Sequence, residues 1–231
     1  ILHVVRCFDN PDIVHVHNTV DPLSDFDTIV AELCLKDLES VEKRIGRIEP
    51  LLKKARHSGS TNEAKGLEAE LTLMTTIKPL LERGAVETIS SLIAAGTTKD
   101  CTPIPLLTAK NFLIIANVGQ YELSNEGYEK NRHYQTLVAR FGRNRVIAVS
   151  AKIEAELAHM DEKDALELME SLEIKQTGLK SIIQRAYEHL GLISFYTCGP
   201  KEAHAWPLKA GTKAPQAAGQ IHSDLERGFI C

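Results

Sequence analysis

Residues 111–120 read NFLIIANVGQ and residues 145–152 read RVIAVSAK. Each is a short apolar run that ends in small or polar residues. Unbroken runs of this length predict strands buried on both faces of a sheet. Between them, NEGYEKNRHYQTLVARFG predicts a surface helix ended by Gly142. Strand, helix, strand at this spacing predicts a parallel α/β crossover. Ligands of open α/β sheets bind beyond the carboxyl ends of the strands. The candidate ligand loops are therefore Asn117-Val118-Gly119-Gln120 and Ser150-Ala151-Lys152.

Upstream, ILHVVRCF (1–8) reads as another buried, central strand, interrupted by His3 and Arg6 and closed by the turn formers DNPD. HNTVDPLSD predicts a loop carrying Pro22, with Ser24 or Asp25 as the N-cap of the next helix. From there Leu38, Val41, Ile45, Ile48 and Leu52 recur at alternating spacings of three and four, a heptad seam. The polar stretch HSGSTNEAKG predicts a turn, and Leu67, Leu71, Met74, Ile77 and Leu81 form a second seam. The two seams predict an antiparallel helical hairpin. Its narrow stripe favours an arm that projects and touches a partner over one packed on its own domain. Pro50 and Pro79 are expected to start or kink local turns. Residues 152–191 read as mostly helical. Beyond them LISFYTCG and AHAWPLKAG predict two strands, and APQAAGQIHSDLERG a short helix and turn.

Composition narrows the function classes. With 43% hydrophobic and 25% charged residues, the chain is not a wholesale disordered one. No apolar run reaches the roughly 18 residues of a membrane helix, and no secretory leader is visible, so a cytoplasmic protein is expected. The net charge is −4, and residues 1–28 alone carry five acidic side chains against one basic. No block is basic enough to hold DNA by electrostatics alone, whereas a small patch for structured RNA stays open. Cys7, Cys34, Cys101, Cys198 and Cys231 form no C-x-x-C pair and read as reduced packing thiols. His15 and His17 lack a third ligand, so no metal site is expected there. Ser150 has no evident His and Asp partners for nucleophilic chemistry. Trp206 reads as a core residue more than a stacking platform. Lys201, Lys209, Lys213 and Arg227 suit RNA phosphates or an ordinary surface equally.

A strand ending in N-x-x followed by an acid or amide, and about thirty residues later one ending in S-A-K, resembles the base-recognition half of a P-loop GTPase-type domain. Further stretches extend the likeness over nearly the whole chain: RCFDNPDIVHV, the hairpin, LLTAKNFLIIANV, GLISFYTCGPKEAHAW and KAGTKAPQAAGQIHSDLERGFI. Together they resemble the Obg-like ATPases of the YchF type. The resemblance implies an α/β fold: an incomplete P-loop GTPase-like parallel sheet, a helical coiled-coil insertion and a partial β-grasp (TGS) domain. The implied division is residues 1–28 and 96–191 for the nucleotide domain, 29–95 for the hairpin and 192–231 for the TGS part. The implied activity is Mg²⁺-dependent ATP hydrolysis, with GTP weaker. The implied partner is the ribosome, its large subunit or rRNA, with neither membrane nor DNA.

The pattern departs from the family in two ways. G-x-x-x-x-G-K-[ST] does not occur; Gly178-Leu179-Lys180-Ser181 is a decoy in a helical segment. The D-x-x-G switch is missing as well, so the match is expected to begin after both phosphate motifs and to end inside the TGS domain. Phosphoryl transfer rests on positioning and charge stabilisation by those motifs, so this chain alone is expected to hydrolyse nothing, with no catalytic or metal residue of its own. In the base loop Gln120 stands where the family has glutamate. A carboxamide offers a donor and an acceptor, which matches the edge of adenine; the other reading points Gln120 into solvent. The implied base-site residues are Asn117, Val118, Gln120, Ser150, Ala151 and Lys152. Lys152 either covers the ring with its stem or is solvated. The rival reading is a noncatalytic ribosome- or RNA-binding module acting through the hairpin and the TGS surface.

Overall fold

The computed structural model describes residues 1–14, 19–94, 105–200 and 202–230. The chain divides into two compact units: Ile1, His3 and Asp21–Phe112 form one, and Leu2, Val4–Val20 and Leu113–Cys231 the other.

The first unit is helical. α1 (Pro22–His57) runs for 36 residues, about 54 Å at 1.5 Å per residue. Its N-cap is Asp21, not Ser24 or Asp25: the Asp21 carboxylate accepts from the N–H groups of Leu23 (3.1 Å) and Ser24 (3.2 Å). Pro22 then sits in the first turn, where its missing N–H removes no helical bond. α2 (Thr61–Glu82) begins within the stretch expected to be a turn, so only Ser58–Ser60 separate the helices. α3 (Val86–Ala94) follows. The two seams meet as the heptad spacing requires. Val41, Ile48, Met74, Ile77 and Leu81 are buried together, joined by Leu73 and by Ile89 of α3. Neither Pro50 nor Pro79 ends its helix. Both lie on the solvent side, as do Gly46 and Thr75 four residues earlier, so water can satisfy the carbonyls that lose a partner.

Two buried carboxylates organise this unit. Glu70 of α2 receives Arg44 of α1 through paired bonds, Nε to Oε1 at 2.6 Å and Nη2 to Oε2 at 2.8 Å. Asp37 of α1 accepts from the N–H groups of Leu107 (2.8 Å) and Thr108 (2.7 Å) and from the Thr108 hydroxyl (2.7 Å).

The second unit contains a three-stranded sheet and a hairpin. The sheet order is β1 (Leu2–Arg6), β2 (Leu113–Asn117), β3 (Val146–Val149). β2 and β3 are parallel, with Asn117 opposite Val149. β2, not β1, is the central strand among the described residues. β1 alternates instead of being buried throughout, with Val5 inside and Val4 67% exposed. The crossover is not one helix. α4 (Gln120–Leu123) leads into a 3-10 segment, Ser124–Lys130, and then α5 (Arg132–Phe141). The Asn131 side chain accepts from the Tyr134 N–H at 2.9 Å and so starts a fresh helix. Gly142 ends α5 with φ at 81°, a conformation glycine adopts without a Cβ clash.

α6 (Ala151–Leu157), α7 (Glu162–Ser171) and α8 (Gly178–Leu190) follow. Ile182 and Ala186 of α8 pack on Leu113, Ile115, Ile147 and Val149. The decoy Gly178-Leu179-Lys180-Ser181 is the first turn of α8. Its first two N–H groups are taken by an internal carboxylate, with Glu154 accepting from Gly178 (2.6 Å) and Leu179 (3.1 Å), and the Lys180 N–H goes to Thr177 Oγ1 (3.3 Å). A Cβ on Gly178 would stand 2.7 Å from Val149 Cγ1 and 2.9 Å from Cγ2. Gly178→Ala is therefore expected to destabilise the unit by about 1–3 kcal/mol, since Val149 is stiff and already packed. A denaturant midpoint unchanged by this substitution would contradict the close packing.

β4 (Leu192–Cys198) and β5 (Ala203–Lys209) form an antiparallel pair, followed by α9 (Ala214–Ile221) and α10 (Ser223–Arg227). Trp206 is half-buried; its ring stacks with Phe195 across the strands, and its Nε1–H donates to Thr197 Oγ1 at 2.9 Å. No helix of the described residues is long and apolar enough to cross a membrane.

Candidate functional site

The ends of β2 and β3 bring the two candidate loops together. Val118 donates its N–H to Val149 O at 2.8 Å. Asn117 Oδ1 accepts from the Ala151 N–H at 3.0 Å, so the Asn117 side chain ties one loop to the other. Because a backbone N–H is the donor, the atom facing it must be the carboxamide oxygen, and the nitrogen is left as Asn117's donor group. Val118 and Ser150 are buried, at 2% and 1% exposure; Gln120 is half-buried, and Ala151 and Lys152 are exposed.

These residues open onto a cleft of about 650 Å³. Asn117, Val118, Gly119, Gln120, Ser150 and Lys152 line it, as does Tyr121. Ala151 is not among the lining residues; it contributes the N–H that holds Asn117. The opposite wall comes from the loop after β1, with Phe8, Asp9, Asn10 and Ile13. Arg6 shapes that loop. Its guanidinium donates at 3.0 Å to three carbonyls, those of Phe8, Asn10 and Ile13, and lies over the Phe8 ring at 4.8 Å from the centroid. The volume and the aromatic wall suit a flat heterocycle.

Sequence reasoning missed this second wall, and it missed Glu122 and Asn131. Glu122 Oε2 accepts from the Gly119 N–H at 2.8 Å, and Oε1 accepts from Asn131 Nδ2 at 2.7 Å. The signals were local. Glu122 stands three residues after Gly119, the position from which a glutamate reaches back to a helix N-cap. Asn131 directly precedes α5, a favoured N-cap type. Arg6 interrupts an apolar run where a strand must end. Nearby, burial pushes the Tyr134 hydroxyl up to about 12, so this ring adds no charge to the region at neutral pH.

Among the described residues, no group of three or more His, Cys, Asp or Glu side chains is placed to hold a metal ion. His15 and His17 lie outside the described residues, as do Cys101, Cys231 and Lys201. Cys7 and Cys34 are buried, Cys198 is exposed, and Lys209, Lys213 and Arg227 are exposed.

Residues 192–231 match the YchF-GTPase_C family model, described as a protein of unknown function (DUF933). The whole chain is similar to the "Ribosome-binding ATPase YchF" of Haemophilus influenzae, 38% identical over 235 residues, covering 99% of this chain and 60% of that protein. The Bacillus subtilis protein of the same description is also 38% identical, with 100% of this chain and 60% of that protein covered. The solved structure of the Schizosaccharomyces pombe YchF GTPase aligns with a TM-score of 0.70 and 29% identity, over 99% of this chain and 60% of that one. The chain thus spans about 60% of the length of the curated relatives it matches. With sequence likeness along its full length and the same fold in a solved relative, the chain belongs to the YchF family.

Proposed function

We propose that this chain carries the base-recognition half of the nucleotide site of a cytoplasmic, ribosome-associated ATPase. The observation that carries the reading is the cleft in which both loops meet, with Asn117 bridging to Ala151. The adenine ring is placed in this cleft, which Phe8 and Val118 help to line. Asn117 contributes the carboxamide nitrogen, and Gln120 supplies a donor and an acceptor to the adenine edge. Ser150 and Ala151 present backbone groups, and Lys152 lies along the rim. Guanine is disfavoured, because Gln120 replaces the carboxylate that would accept its two adjacent donors. In the assignment that goes with this reading, residues 1–28 and 96–191 form the nucleotide domain. Residues 29–95 form the inserted arm, and 192–231 belong to a TGS-type domain. The partner is the ribosome or its rRNA, consistent with the names of the relatives.

The phosphate-binding motif G-x-x-x-x-G-K-[ST] does not occur in these 231 residues, so the chain is expected to bind the base without turning ATP over. The test is a titration of the chain with ATP and with GTP, read by the amide resonances of Gly119, Gln120 and Ala151, beside a phosphate-release assay with Mg²⁺. ATP should shift these amides at lower concentration than GTP, and phosphate release should equal that of a mock preparation. Tighter binding of GTP, or Mg²⁺-dependent turnover by this chain, would overturn the respective claim. Ribosome co-sedimentation that ignores nucleotide while the three amides stay unmoved would favour the noncatalytic binding module.

A further inference from the structure

We infer that Glu122 and Asn131 are positioning residues that set the base loop in its binding shape before any base arrives. The inference rests on the base-binding reading above.

The observation is a closed circuit of hydrogen bonds within the second unit. Glu122 takes the Gly119 N–H on one carboxylate oxygen (2.8 Å) and Asn131 Nδ2 on the other (2.7 Å). The same Asn131 nitrogen donates its second hydrogen to Cys7 O at 2.7 Å, while Asn131 Oδ1 accepts from the Tyr134 N–H at 2.9 Å. Every donor and acceptor group of that carboxamide is engaged, and Asn131 is only 9% exposed. Cys7 in turn donates its N–H to Asn117 O at 2.8 Å. The circuit therefore leaves the base loop at Gly119 and returns to it at Asn117. It passes through the end of β1 and the N-cap of α5.

This arrangement has a direct consequence for recognition. Gln120 follows Gly119, and Glu122 holds the peptides on both sides of Gly119: its carboxylate takes the N–H of the Val118–Gly119 peptide, and its backbone N–H donates to the Gly119 carbonyl at 3.1 Å. Without Glu122, the Gly119 N–H at the head of the four-residue α4 would have only water as a partner. Glycine there would then sample many conformations. The carboxylate also lies close over Gly119: a Cβ on Gly119 would stand 3.1 Å from Glu122 Oε2. The missing side chain at 119 and the glutamate at 122 are thus parts of one device. A loop held in its bound shape loses less conformational entropy when the ligand binds.

The test uses the full chain, with adenosine as the probe, and three proteins: unaltered, Glu122→Ala, and the swap Glu122→Gln with Asn131→Asp. In the swap the carboxamide introduced at position 122 still accepts from Gly119. It now donates to the carboxylate introduced at position 131, which keeps the N-cap bond from Tyr134 but sets an oxygen against Cys7 O where the Asn131 amide donated. Two quantities are read: hydrogen-exchange protection of the Gly119 amide, and adenosine affinity from the Gln120 and Ala151 amide shifts. Glu122→Ala should lose Gly119 protection and bind adenosine about tenfold more weakly, with exchange of the β2 amides unchanged. The swap should restore Gly119 protection to within about threefold of the unaltered chain and recover adenosine affinity only in part, because it gives up the bond to Cys7 O. The inference is overturned if the unaltered chain binds adenosine and Glu122→Ala binds it equally well. It is also overturned if Gly119 is unprotected in the unaltered chain. Absence of any adenosine shift in the unaltered chain would instead remove the base-binding reading, and this inference with it.

Discussion

Arg44→Ala is expected to destabilise the helical unit by about 3 kcal/mol, because it strands a charge in the interior. The Glu70 side chain is 5% exposed, and its two oxygens face the Arg44 guanidinium in a bidentate pair. With the arginine gone, the carboxylate must stay charged and unpaired, take up a proton, or pull apart the α1–α2 interface. All three cost free energy. Arg44 is itself 34% exposed, so water softens the loss, and the figure sits at the low end for a buried pair. Replacing both partners, Arg44→Leu with Glu70→Leu, should cost far less or nothing, since no charge remains to be desolvated. Denaturant unfolding followed by far-ultraviolet circular dichroism distinguishes the two cases. Equal losses in the single and double replacements would show that packing, not charge, holds the helices at this level. The exposed pairs Arg56–Glu68 and Lys78–Glu42 bridge the same helices, and their loss should be barely measurable.

Asp37→Ala should cost a comparable amount, about 3–4 kcal/mol, by a different route. Asp37 is 2% exposed, and its carboxylate satisfies the N–H groups of Leu107 and Thr108 together with the Thr108 hydroxyl. Alanine leaves those donors without their acceptor, two of them at a residue only 5% exposed. The effect is local as well as global. Amide exchange at Leu107 and Thr108 should rise well above that of the α1–α2 seam, because the segment loses its anchor while the seam keeps its own contacts. Asp37→Asn, which keeps one acceptor oxygen, should fall between alanine and the unaltered chain. If Leu107 and Thr108 remain protected in Asp37→Ala, the carboxylate is not what holds the segment.

These two carboxylates show which parts of the fold were legible in the sequence. The seams were, since heptad spacing needs only neighbours three and four residues apart. Val41, Ile48, Met74, Ile77 and Leu81 are buried as the spacing requires. That Glu70 would be the buried acid of α2 was not legible, because an acidic residue between seam positions reads as outer-face charge until its partner is placed opposite. Helix starts are ambiguous for a related reason. Asp21, Ser24 and Asp25 are all suitable caps, and Pro22 alone distinguishes the first. The crossover helix divides at Asn131, whose side chain serves α5 and the base loop together.

By itself the sequence determined the strands β1 to β5, the helical hairpin, the β2–β3 crossover and the two loops at its carboxyl end. It also carried the likeness to the YchF family. Those features rest on periodicity, turn chemistry and short motifs, which act between residues close in the chain. Only the tertiary structure decided which polar groups meet. Asn117 reaches Ala151 across 34 residues, and Asn131 reaches Cys7 across 124. The Phe8 wall of the cleft exists because β1 lies beside β2. Bonds of that kind depend on strand register and side-chain direction, which are fixed only when the sheet has formed and buried polar groups must each find a partner.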